Sequence, residues 1–128
     1  MGGDANRRSA ERYFAAVRAH DFDTLDDLRH EGFVQEWPQM GERTRGKANA
    51  RAINENHPGT PIPTVRRVTG DDDFWVAETT LEYPDGSVWQ AVHLFEFRDG
   101  TILRQTDYFG APLAAPAWRE GWVERMDT

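Results

Sequence analysis

The residue pattern predicts an α+β fold, with helices first and then a long antiparallel sheet. Three observations predict it. Apolar residues recur at three-to-four spacing in the first part of the chain, as on amphipathic helices. From Thr64 onward, apolar and polar residues alternate in four runs, as on half-buried strands. The runs are separated by Gly70-Asp71-Asp72, Pro84-Asp85-Gly86 and Asp99-Gly100, turns short enough to make the strands antiparallel neighbours. With 128 residues, the chain suits one domain spanning 1–128.

The elements follow in order. Residues 1 to 5 are expected to fray. From Asn6 to Ala19 the apolar positions Ala10, Tyr13, Phe14 and Val17 form one helical stripe. His20-Asp21-Phe22 interrupts it, and Asp23 can cap a short second helix through Arg29, with Leu25 and Leu28 facing in. Phe33 to Trp37 alternates before Pro38 and reads as a strand, and Gln39 to Arg45 reads as a loop. Gly46 to Asn56 reads as a third helix with a small inward face of Ala48, Ala52 and Ile53, stopped by His57-Pro58-Gly59. Pro61 and Pro63 keep the next stretch extended. The strands are Thr64 to Thr69, Phe74 to Tyr83, Ser87 to Phe97 and Thr101 to Phe109. Pro116 suits the first position of a last helix, with Trp118, Trp122 and Met126 on one stripe.

Composition narrows the function classes. Lys plus Arg number 15 against 22 Asp plus Glu, a net charge of −7, which argues against non-specific binding to nucleic acid or an anionic membrane. No run is long and apolar enough to span a bilayer, and MGGDANRRSAER has no apolar signal core. The chain has no cysteine, which is compatible with a reducing cytoplasm, the expected location. There is no Gly-rich phosphate loop and no nucleophile elbow. Asp71-Asp72-Asp73 lacks the ligand spacing of a calcium site and reads as a solvated turn, and His20, His30 and His57 are scattered. Neither a cofactor nor a metal is expected.

The informative stretch is FEFRDGTILRQTDYFGAP, Phe95 to Pro112. It reads as a hairpin whose second strand carries the acid Asp107 among apolar neighbours. A buried, ionised carboxylate is costly unless it is paired or used. Its direction depends on register, because a one-residue slip reverses every side chain. A two-residue Asp99-Gly100 turn sets Asp107 across from Val92. A type I turn over Arg98-Asp99-Gly100, closed by a Gly bulge, sets Asp107 across from Ala91 and Gln105 across from His93. We expect the bulged turn. It gathers Trp89, Ala91, His93, Phe95, Phe97, Leu103, Gln105, Asp107 and Phe109 on one face, and leaves Gln90, Glu96, Arg104 and Thr106 for water or a dimer contact.

Each candidate has a sharp and a plain reading. Asp107 is a general acid/base in an apolar pocket, or a structural acid paired with Arg104 or Arg119, or a solvated one. His93 is a proton shuttle or carbonyl polariser, or a core histidine bonded to Gln105 or to backbone. Trp37 and Trp89 stack on a planar ligand, or pack the core. Gln35 shares a strand face with Trp37, and that face is aimed at the same cavity. Trp118 and Trp122 pack the last helix onto the sheet or onto a partner subunit; a homodimer is the expected assembly.

Several strings resemble the SnoaL-like branch of the NTF2-like superfamily, which also holds ketosteroid isomerases, polyketide cyclases and limonene epoxide hydrolases. They are Tyr13-Phe14, Asp21-Phe22-Asp23, Phe33 to Pro38, Gly46 to Ile53 and FEFRDGTILRQTDYF, and the likeness extends over nearly the whole chain. The resemblance implies an NTF2-like cone, with three N-terminal helices packed on a strongly curved antiparallel sheet and a short C-terminal helix. It does not carry over the isomerase constellation. The general-base position matches Trp37, the oxyanion acid position matches His93, and only Tyr13 is near the oxyanion tyrosine. Asp107-Tyr108-Phe109 matches the terminal acid of the epoxide hydrolases, but Thr79, Thr80 and Leu81 stand where their partner Arg and Asp would be. Asp107 best matches the acid/base of SnoaL-type cyclases. The expectation is a cofactor-free enzyme on a small hydrophobic carbonyl or hydroxyl compound, by cyclisation, isomerisation or hydration. Asp107 would move the proton, His93 and Gln105 would hold an oxygen, and Tyr13, Gln35, Trp37, Trp89, Phe95 and Phe109 would line the site. A non-catalytic binder and a dimeric scaffold filled by its own side chains are the alternatives.

Overall fold

The computed structural model describes residues 2–126. Helix α1 runs Gly2–Ala19, α2 Phe22–Leu28 and α3 Lys47–Asn56; the strands are β1 Arg29–Trp37, β2 Glu42–Arg45, β3 Ile62–Asp71, β4 Phe74–Glu82, β5 Val88–Arg98 and β6 Thr101–Gly110. They form one six-stranded sheet in the order β2-β1-β6-β5-β4-β3. The sheet is curved and unclosed, with the helices on one face: an NTF2-like α+β fold. The β3-β4-β5-β6 meander is antiparallel, as the short turns require, whereas β1 runs parallel to β6. That pairing joins distant parts of the chain, so no turn signals it.

Helix α1 begins at Gly2, four residues before the expected start. Buried Asn6 donates to Asp72 O (2.9 Å) and Asp73 Oδ1 (3.2 Å), pinning this end to the β3–β4 turn. His20, at φ 55°, ends α1 in the left-handed region. The cap of α2 is Asp21 rather than Asp23: its carboxylate accepts from Thr24 N (3.1 Å) and Thr24 Oγ1 (2.6 Å). Arg29 caps the end of α2, its backbone N–H donating to Asp26 O, and at the same time opens β1, pairing with Ile102. The expected loop before α3 contains β2, a hairpin partner of β1. Gly46 (φ 88°) precedes α3, and its N–H donates to Phe33 O at 2.7 Å.

The inward face of α3 is also different. Ala50 is buried, whereas Ala48 and Ala52 are exposed and Ile53 is 41% exposed. Polar anchors turn the helix: Arg51 Nη1 bonds Asp23 (2.8 Å) and Asp26 (2.6 Å) of α2, and Asn54 Oδ1 accepts from Arg29 (2.9 Å). The core between helices and sheet holds Ala10, Tyr13, Phe14, Leu25, Leu28, Phe33, Trp75, Phe95, Phe97 and Ile102, among others. Beyond β6, Ala117–Trp122 forms a 3-10 helix that does not pack on the sheet; Trp118 and Trp122 are 74% and 82% exposed.

The final hairpin takes neither expected register for Asp107. Asp99 (φ 52°) and Gly100 (φ 83°) form a two-residue turn of the primed type, with Arg98 opposite Thr101. A bulge follows within the strands: Phe97 pairs with Ile102, but Glu96 pairs with Arg104. The extra residue, Leu103, restores the parity that the tight turn alone would have reversed. Asp107 lies across from His93 and faces the helices. Ile102 takes the core place expected for Leu103.

Candidate functional site

Four strands and one helix bring a polar cluster together inside this core. Asp107 on β6 and His93 on β5 are directly paired, and Gln35 on β1 pairs with Gln105 on β6. Thr79 on β4 has the same inward parity as Trp75, Ala77 and Leu81. Tyr13 descends from α1. All of these side chains are buried, Asp107 to 3% exposure.

Asp107 accepts three hydrogen bonds. Oδ1 lies 2.8 Å from His93 Nδ1 and 2.9 Å from Gln105 Nε2, and Oδ2 lies 2.7 Å from Gln35 Nε2. The other ring nitrogen of His93, Nε2, is 2.8 Å from Thr79 Oγ1. The consistent assignment is Nδ1–H donating to Asp107 and Nε2 accepting from the threonine hydroxyl. Gln105 Nε2 also donates to Tyr13 OH at 3.1 Å. Burial pushes the Tyr13 phenol above its ordinary pKa; the nearby Arg29 charge pulls it back, and the negative charge on Asp107 pushes it up again.

The structure thus joins five expected site residues: Asp107, His93, Gln105, Gln35 and Tyr13. Phe95 packs beneath them, its ring centre 5.4 Å from that of Tyr13, and Phe109 stands edge-to-face with His93, ring centres 6.3 Å apart. The tryptophans stand apart. Trp89 tilts against Tyr83 at 4.9 Å and donates to Ser87 Oγ, and Trp37 is half-buried at the end of β1, opposite Glu42. Arg104 is not the partner of Asp107: it bonds Glu36 (2.9 Å) on the outer face, and Arg119 is exposed in the tail. Three cavities lie elsewhere. A groove of about 570 Å³ follows the outer face past Arg66, Glu78, Val92, Tyr108 and Met126; a niche of about 30 Å³ sits between the helices at Asn54; and about 670 Å³ is framed by the tail. Asp107 borders none of the three. Among the described residues no group of three or more acidic or histidine side chains is placed to hold a metal.

Sequence reasoning missed Thr79, Asn54 and Arg29. Strand parity carried a signal for Thr79. For Arg29 the signal was its spacing from Leu25 and Leu28, which places it on the same inward stripe.

The model of the SnoaL-like domain matches residues 10–105, most of the chain and every cluster residue except Asp107. The chain belongs to the SnoaL-like family. This SnoaL-like protein is similar in structure to an NTF-2-like protein of unknown function from Burkholderia xenovorans, 34% identical, with 97% of each chain covered and a TM-score of 0.86. A protein from Kribbella flavida, assigned provisionally as a ketosteroid isomerase, is 27% identical over 100% of this chain and 94% of its own, with a TM-score of 0.90. An LEH-like epoxide hydrolase from M. tuberculosis, 23% identical over 85% of both chains with a TM-score of 0.76, shares the fold. No curated protein matches.

Proposed function

We propose that this SnoaL-like protein takes up one small, mostly apolar carbonyl or hydroxyl compound, and that Asp107 acts on it as a cofactor-free general acid/base. The observation that carries this reading is the hydrogen bonding of Asp107. Among the described residues its carboxylate is buried without an Arg or Lys partner, and of the three donors that orient it Gln35 alone engages Oδ2. A carboxylate has about four acceptor positions. Oδ2 therefore keeps one with which to take a proton from substrate carbon or oxygen and return it elsewhere on the same molecule. His93 and Gln105 position the acid, and Tyr13 can donate to the oxygen on which charge develops. The absence of an acid at Trp37 and at His93 supports a proton path centred on Asp107 rather than on the isomerase pair. The molecule acts as a homodimer through the outer face of the sheet.

A second reading has its own support. Both His93 ring nitrogens are engaged, and the aromatic side chains pack closely around the cluster. That suits a scaffold or a binder whose polar cluster fixes the core. Hydrogen–deuterium exchange into bound ketones in heavy water separates the two, after a thermal-shift screen has found ligands. Under the enzymatic reading the wild type exchanges substrate C–H, and Asp107→Asn lowers the rate by about 10²-fold or more while affinity changes little. Equal loss of affinity and exchange, or unchanged exchange, assigns Asp107 to structure.

A further inference from the structure

Arg29 is 2% exposed, with its guanidinium carbon 4.9 Å above the Phe33 ring. Nη2 donates to Asn54, but Nε and Nη1 are buried and meet no acceptor in full hydrogen-bond geometry among the described residues. A buried guanidinium with donors left over is costly, and arginine does not shed its proton to escape the cost. Gln105 Oε1, in the same core, is likewise buried without a partner. Tyr13 connects the two: its oxygen accepts from Gln105 Nε2 and lies beside the Arg29 guanidinium, whose charge and hydrogen bond both pull its pKa down, and its own O–H remains available to donate. Donors without acceptors and one acceptor without a donor thus meet around a single phenol, next to Asp107.

We infer that Arg29 and Tyr13 receive a carboxylate of the ligand, and that Gln105 Oε1 accepts from a hydroxyl beside it. The substrate class is then a small, largely apolar hydroxy acid. A carboxylate supplies the counter-charge that Arg29 lacks, in charge-assisted hydrogen bonds. Gln105 Nε2 also bonds Asp107 Oδ1 at 2.9 Å, so the carbon bearing the hydroxyl comes within reach of the acid. This deepens the proposed function and rests on its premise that the core admits a small molecule.

The test compares 3-phenyllactate, its methyl ester and 3-phenylpropionate by titration calorimetry, and follows the Arg29 Nε–H resonance by NMR. The wild type should bind the hydroxy acid at least about ten-fold more tightly than the ester and several-fold more tightly than the deoxy acid, with the Nε–H resonance shifted. Arg29→Met should erase the preference for acid over ester. If that variant fails to fold, the wild-type affinity ratio and the resonance decide the matter alone. Equal affinity for acid and ester, or an unmoved Nε–H resonance with every acid, overturns the inference and leaves a buried water as the partner of Arg29. An ester that binds without acid preference yet exchanges its protons through Asp107 overturns only the carboxylate site. An acid held by Arg29 without Asp107-dependent exchange overturns only the catalytic reading.

Discussion

Tyr13 is the cluster residue whose ionisation is most clearly tied to the fold. Burial raises its pKa, so the folded protein holds the phenolic proton more tightly than the unfolded chain does. The sign follows. The stabilisation is fully present below the unfolded value, about pH 10, and is lost as pH rises through the higher folded value. Tyr83 contributes in the same direction through its own burial. Urea midpoints measured between about pH 9 and 11 should therefore fall with pH, and Tyr13→Phe should flatten part of that fall. An unchanged slope in the variant would show that Tyr13 is reached by solvent. At neutral pH the same variant removes the oxygen that accepts from Gln105, at a cost of about 1–3 kcal/mol.

At the level of elements, two hairpins set the inward faces. In β6 a bulge compensates for a tight turn, and Asp107 keeps its inward aim only because both are present. In the β3–β4 hairpin, Gly70 pairs with buried Trp75, and a Cβ at Gly70 would lie 2.2 Å from Phe74 O and 2.7 Å from Trp75 Cα. Those are backbone atoms and cannot step aside cheaply. Gly70→Ala should cost more than about 2 kcal/mol in chemical denaturation, because the strand pair must separate or shift. Loss of the Trp75 near-ultraviolet signal would locate the damage, since Trp75 Nε1 donates to Asp72 O in the same turn. A variant as stable as the wild type would mean that the hairpin relaxes without strain.

Over the whole molecule, apolar side chains remain in water on the outer face and in the tail. Val92 and Tyr108 are 37% and 43% exposed, Val88 lies on the same strand and face as Val92, and Trp118, Trp122 and Met126 follow in the tail. A patch of this kind suits a self-association surface. Sedimentation velocity at micromolar concentration should give a dimer, and Val92→Glu should give a monomer with an unchanged far-ultraviolet spectrum, because a charge in a paired apolar surface opposes association. A monomeric wild type would remove the homodimer from the proposed function.

Periodicity and turn chemistry determined the class of fold, the four-strand meander and the inward set from Ala91 to Phe109 apart from Leu103, whose place Ile102 takes. Those signals are local: a side chain's neighbours along the chain decide whether it alternates or spirals. The face of Asp107 was legible as well, although through a different turn and bulge from those expected, because face depends only on parity and two different irregularities can restore the same parity. Pairings between distant segments were decided by the tertiary structure alone. The parallel match of β1 to β6 brings Gln35 to Asp107, and the polar anchors Arg51 and Asn54 turn α3 away from its apolar stripe. Arg29, at a helix end that would usually lie in water, was drawn into the core by the strand that begins there. Hydrogen bonds across such distances have no period in the sequence; they follow from which buried polar groups can find partners once the elements have packed.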